Sequence, residues 1–169
     1  PIELPGYTVK GANRIEEHLS NIPTKVDIID SKEIALVNPQ TTADALLNTG
    51  NVFIQKSQMG GGSPVIRGFE ANKVLIVVDG VRMNNAIYRN GHLQNAITVD
   101  PSILERIEVI FGPGSLTYGS EALGGVVHFR TRDPKLFFGS ESGDEEYLMN
   151  TNASLRYASA NKEFSGHVD

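Results

Sequence analysis

Apolar and polar positions alternate most legibly between Ile103 and Arg130, ILERIEVIFGPGSLTYGSEALGGVVHFR. Ile107 to Phe111 is β-prone with partial alternation and predicts a strand. Gly112-Pro113-Gly114 ends it, because proline has no amide proton to donate and glycine accepts dihedrals closed to other residues. Ser115 predicts an N-cap for one or two helical turns carrying Leu116, Tyr118 and Glu121. After Gly124-Gly125 the chain resumes as a strand from Val126 to Arg130. Val127 and Phe129 then lie on one face, His128 and Arg130 on the other. Two strands joined by so compact a connection are expected side by side at the centre of a small sheet.

Upstream, Val26 to Ile29 predicts a first strand. Asp30 or Ser31 predicts the cap of a short helix with Ile34, Leu36 and Val37, ended by Asn38-Pro39. Thr41 or Thr42 opens a second helix with Ala43, Leu46 and Leu47, and Val52 to Ile54 predicts another strand. The apolar residues of these elements are assigned to the core. Five apolar residues in a row, Val74 to Val78, predict a strand covered on both faces, and Asp79-Gly80 predicts a tight turn. Residues 82–98, RMNNAIYRNGHLQNAIT, form a long stretch without periodicity, of the kind that often carries function. Asp100-Pro101-Ser102 opens a short helical turn. Beyond Asp133-Pro134 an acidic stretch reads as a linker, and Tyr147 to Phe164 as the beginning of a hairpin. Because a lone hairpin is unstable, that tail is expected to be disordered unless it belongs to a larger sheet.

A chain of 169 residues, 40% apolar, suffices for one domain with a core and a tail. Its net charge of −5 argues against nucleic acid, whose readers are usually basic. Cysteine is absent, which removes disulfides and thiolate metal sites. No apolar run approaches the ~20 residues of a spanning helix. The chain opens at Pro1 with no secretion signal, as a mature or trimmed chain would.

Enzyme motifs are missing. His18, His92, His128 and His167 do not pair at helical spacing, and neither HExxH nor GxSxG occurs. The glycines after Phe111 are superficially like a dinucleotide fingerprint, but Thr117 occupies the third glycine's place and Pro113 is out of character. The three consecutive glycines at Gly60 to Gly62 lack the Gly-Lys-Ser/Thr of a phosphate cradle. Asp79 has no His or Ser neighbour in sequence to make it catalytic.

The stretch from Glu105 to Thr131 resembles the C-terminal motif of plug domains in TonB-dependent outer-membrane receptors. A second similarity lies at Pro64-Val65-Ile66-Arg67-Gly68-Phe69, followed by Val74 to Val81, and the order and spacing of the two agree with that family. The resemblance covers roughly Lys25 to Thr131. It implies an α+β plug, a small mixed sheet of about four strands with short helices and long loops. The first strands of an outer-membrane β-barrel would follow it. The division would be a mobile segment at residues 1–20, the plug at 21–134, and a linker with the start of the barrel at 135–169. A barrel of about 22 strands of ~9–11 residues exceeds this length, so the chain would be the plug and little else.

The resemblance also implies roles. Arg67, Glu105, Arg106, Glu108 and Arg130 would join a polar network between plug and barrel, where a planar guanidinium suits carboxylates in a wet interface; a solvated strand face is the plainer reading. Tyr7, Thr8 and Val9 would pair with a periplasmic TonB-type energy transducer by strand addition, against the plainer reading of a flexible terminus. His92, beside Gly91, would ligate haem iron, with Tyr88 and Arg89 as further ligand contacts. His128 is expected to be structural. No enzyme and no intrinsic cofactor are implied, and haem would be cargo. The expected partners are the chain's own barrel, the transducer, the outer membrane through the barrel, and haem, a haemoprotein or a siderophore outside. Ferric siderophore, cobalamin or glycan cargo, and a free-standing binding or signalling module, are the alternatives.

Overall fold

The computed structural model describes residues 8–10, 16–18, 21, 23–47, 49–56, 62–83, 94–113, 118–119, 121–133, 153–159 and 162–168. The chain divides into two compact units, Pro1–Arg132 and Asp133–Asp169.

In the first unit, β1 (Thr8–Lys10) and β2 (Glu16–His18) form a short antiparallel pair. β3 (Val26–Asp30) runs directly into α1 (Ser31–Val37). The Asp30 side chain caps that helix by accepting from the Glu33 amide at 2.7 Å. Asn38, in the left-handed region at φ 50, ends it. α2 (Thr42–Leu47) is opened by a reciprocal cap, in which Thr41 N–H donates to the Asp44 carboxylate and Asp44 N–H to Thr41 Oγ1. The buried Thr42 hydroxyl donates to the Val99 carbonyl, tying α2 to the segment before the central strands.

The central sheet has five strands rather than the expected four, in the order β3-β8-β9-β6-β7. β8 (Leu104–Phe111) and β9 (Gly125–Thr131) are antiparallel neighbours at its centre, as the alternation predicts. β6 (Val74–Val78) lies parallel to β9, and β3 antiparallel to β8. The additional strand is β7, Val81–Arg82, two residues paired with Val77 and Val78. So short a strand leaves no periodic trace; the turn before it makes it. Asp79 at φ 46 and Gly80 at φ 84 reverse the chain in the mirror-image turn that suits strand twist. The strand expected at Val52 to Ile54 exists as β4 (Val52–Lys56) but stays outside the main sheet. It pairs with β5 (Gly62–Ile66), a strand that Pro64 and the glycines conceal in the sequence.

The two faces of the sheet differ. One side carries Ile76 (β6), Ile107 and Val109 (β8), and Val127 and Phe129 (β9). It packs on Ile34, Leu46 and the β4–β5 hairpin in one continuous core. The other carries Leu75, Val77, Ile110 and Val126, a smaller cluster joined by Ala122 and the partly buried Tyr118. Burying each large aliphatic side chain contributes about 1.5–3 kcal/mol, so β6, clad on both faces, anchors the unit. Not every apolar residue assigned to the core reaches it: Leu36 is 87% exposed and Phe53 64%, and Val37 and Leu47 are also exposed. Two short helices and a two-stranded ribbon each have a face left over.

The second unit holds an antiparallel hairpin of β10 (Ala153–Ala158) and β11 (Glu163–Val168), where disorder was the expectation for a lone tail. The register Tyr157↔Phe164 extends over six pairs. Leu155, Tyr157, Phe164 and Val168 alternate along the strands and are all exposed. Among the described residues no helix is long and apolar enough to cross a membrane.

Candidate functional site

Period-two alternation puts Arg106, Glu108 and Ile110 on one side of β8 and His128 and Arg130 on the same side of β9. The register then sets Glu108 opposite His128 and Arg106 opposite Arg130. On its other flank Glu108 faces Ile28 of β3. A carboxylate is thereby held in the middle of a sheet, fully buried.

Such a group survives only when paired and hydrogen-bonded. Arg106 Nε donates to Glu108 Oε1 at 2.8 Å and Arg130 Nε to the same oxygen at 3.2 Å. Both arginines keep part of their side chains in water, 14% and 21% exposed, so the cations reach inward from the rim. The second oxygen, Oε2, lies 3.4 Å from His128 Nδ1. His128, also buried, accepts from the Gly80 N–H through Nε2 at 3.2 Å. An imidazole nitrogen that accepts a hydrogen bond carries no proton, so the proton sits on Nδ1, facing the carboxylate.

Burial alone would raise the Glu108 carboxyl. The hydrogen bonds from His128 and Arg106 and the positive charge of Arg130 outweigh it, and the group titrates below the ordinary carboxylate range. The neighbouring Tyr118 hydroxyl is pushed upward, first by burial and then by the Glu108 charge, with Arg130 opposing. At the mouth of the same face Arg82 Nη2 meets Glu121 at 3.0 Å, linking β7 to the β8–β9 connection.

The residues expected to act together separate into three places. Glu108 and Arg130 are in contact. Glu105 reaches the cluster only through Arg106, at 3.5 Å, and is largely exposed. Arg67 stands apart. It occupies a tight turn with Gly68, at φ 49 and 83, and its guanidinium lies 5.3 Å from the centroid of the Phe111 ring, which Lys25 also approaches at 4.9 Å. The Glu108 carboxylate is turned into its own domain. Thr8 and Val9 belong to β1, paired with His18 and Glu17. Tyr7, Tyr88, Arg89 and His92 lie outside the described residues, as does the Ser115 cap. His128 was not assigned to the network from the sequence. The signal that places it was present: it alternates in phase with Arg130, on a strand expected beside that of Glu108. Among the described residues no group of three or more His, Asp or Glu is arranged to hold a metal ion.

The small mixed sheet with few short helices is shared with a solved receptor. The pyoverdine outer membrane receptor FpvA of Pseudomonas aeruginosa PAO1 superposes on 95% of this chain with a TM-score of 0.76, at 17% identity and over 21% of its own length. The model of the family described as TonB-dependent Receptor Plug Domain matches residues 18–126. The chain belongs to that family, whose place is the bacterial outer membrane and whose members are receptors and transporters rather than a class of enzymes. It is 39% identical over 143 residues to the vitamin B12 transporter BtuB of Vibrio vulnificus (strain CMCP6), across 82% of this chain and 23% of that protein. It is 37% identical over 112 residues to a hemin receptor of Yersinia pestis, across 66% of this chain and 16% of that protein. The chain thus spans less than a quarter of the length of these curated relatives.

Proposed function

We propose that the chain is the gating and ligand-binding plug of an energy-coupled outer-membrane transporter. The observation that carries this reading is the family match over residues 18–126, which takes in β3, β6, β7 and β8 of the central sheet and the first two residues of β9. In this reading the exposed Arg67 and Glu105 meet the barrel wall, where water can exchange for each polar contact as the plug moves. Residues 21–134 form the plug in this reading, with Tyr7, Thr8 and Val9 in the segment offered to the energy transducer. Residues 135–169 lead into the barrel. The β10–β11 hairpin supports the last assignment, since its exposed, alternating Leu155, Tyr157, Phe164 and Val168 match the lipid-facing period of a barrel strand. Deleting residues 21–134 from the intact receptor tests the gating role. The expected result is a barrel that inserts and conducts ions through an open lumen. A correctly inserted barrel with unchanged conductance overturns it.

For cargo we propose haem, ligated by His92 with Tyr88 and Arg89 in contact. The likeness to a hemin receptor supports this choice, as does the glycine beside His92, which lets a flat macrocycle approach. The second reading is cobalamin, favoured by the longer match to a vitamin B12 transporter. Hemin and cyanocobalamin titrated separately into the intact receptor distinguish them. Haem cargo predicts an absorption band that shifts on binding and is lost in His92→Ala. Saturable cobalamin binding with no hemin response moves the assignment to cobalamin.

A further inference from the structure

We propose that His128 is a positioning residue that anchors the β6–β7 turn, and that Glu108 selects the imidazole tautomer with which it does so. The turn is built from two residues at positive φ, Asp79 and Gly80, and it hands the chain to β7 and then to residue 84 onward. Two side-chain anchors hold it to β9. The Asp79 carboxylate accepts from the Thr131 amide at 2.9 Å and from the Thr131 hydroxyl at 2.8 Å, at the exposed rim. The Gly80 N–H donates inward to His128 Nε2 at 3.2 Å.

The second anchor depends on where a proton is. An imidazole offers Nε2 as an acceptor only while its proton is on Nδ1. Nδ1 faces Glu108 Oε2, a carboxylate kept ionised by Arg106 and Arg130 on its other oxygen. With the alternative tautomer, two donors would meet at Gly80 and a bare nitrogen would face a bare carboxylate. The groups that face His128 are therefore Glu108 directly, Arg106 and Arg130 through Glu108, and Val77 of β6, its neighbour in register. A histidine that merely filled space would have no need of a proton at one nitrogen. Here the charge cluster and the turn meet at one ring: Nδ1 lies 3.4 Å from Glu108 Oε2, and Nε2 accepts from Gly80.

The inference rests on the transporter reading only for what the turn serves, since the residues after β7 are those to which cargo contacts are assigned. Amide hydrogen exchange in the intact receptor tests it at Gly80. His128→Ala is expected to speed exchange there about tenfold or more, while the rest of β6 and β9 stays protected. His128→Gln, whose side-chain carbonyl can accept from Gly80, is expected to restore protection to within about threefold. Glu108→Gln, which removes the carboxylate that selects the tautomer, is expected to speed exchange at Gly80 although it does not touch that residue. Unchanged exchange at Gly80 in a folded His128→Ala receptor overturns the proposal. Should that variant not fold, nitrogen chemical shifts of the labelled wild-type imidazole decide: a proton on Nδ1 supports it, a proton on Nε2 overturns it. Cargo affinity measured on the same variants separates the two readings, because a loosened turn with unchanged affinity counts against the cargo assignment and leaves the anchor standing.

Discussion

The two faces of the central sheet solve the same problem with different chemistry. On one, Ile76, Ile107, Val109, Val127 and Phe129 meet the helices and the β4–β5 hairpin in one continuous apolar core. On the other, the middle of the sheet is occupied by Glu108 and His128, and the apolar cluster beside them is small. The first face draws its stability from area removed from water, which is indifferent to pH and nearly so to salt. The second depends on a carboxylate whose partners must all be in place, so its contribution is conditional. Both faces lie inside the domain, so the difference between them is one of chemistry and not of access to water.

Damage to each face in turn separates the two contributions. Phe129→Ala removes a fully buried ring from the aliphatic side and is expected to cost about 3–5 kcal/mol in urea denaturation, equally at pH 5 and pH 7.5. A loss below 1 kcal/mol would mean that this face is not the structural core. Glu108→Ala leaves two inward-reaching guanidiniums without their carboxylate and is expected to cost about 3 kcal/mol near neutral pH. The double variant Glu108→Leu with Arg106→Met is expected to recover part of that loss, because it leaves only Arg130, rather than two guanidiniums, without the carboxylate.

Acid sharpens the contrast. The folded Glu108 carboxyl is held below its ordinary value of 4.5, so the folded state binds its proton less readily than the unfolded chain does. The stability it contributes is fully present above that ordinary value and is lost as pH falls toward the lowered folded one. Wild-type chain is thus expected to lose stability in this window, and Glu108→Gln to lose less over the same range. Parallel curves for the two proteins would show that the cluster does not couple to the fold. The smallest expected effect lies away from both faces. Asp30→Ala removes the cap of α1 and is expected to cost about 1 kcal/mol, visible as a small shift in the urea midpoint and unaffected by the state of Glu108.

Much of the fold was legible in the chain because it depends on neighbours in sequence. The alternation from Ile107 to Phe111 and from Val126 to Arg130, the caps at Asp30 and Asn38, and the Asp79-Gly80 turn are local choices, and each appears where the pattern places it. β7 and β5 were hidden for a local reason as well: two residues, or a strand interrupted by proline, leave no period to read. The exposure of Leu36 and Phe53 could not be read, because a single apolar residue does not say whether anything comes to cover it.

The chain alone carried the motifs by which its family is recognised. It also showed where the longer strands run and which of their side chains share a face, because dihedral preference and a two-residue period are local properties. Only the tertiary structure decided which strand lies beside which, that Glu108 is sealed while Glu105 is wet, and that His128 reaches Gly80, 48 residues away. Burial and hydrogen-bond partnership belong to the packed molecule. They depend on what arrives from elsewhere in the chain to exclude water, and a charged residue in a strand reads the same whether or not it does.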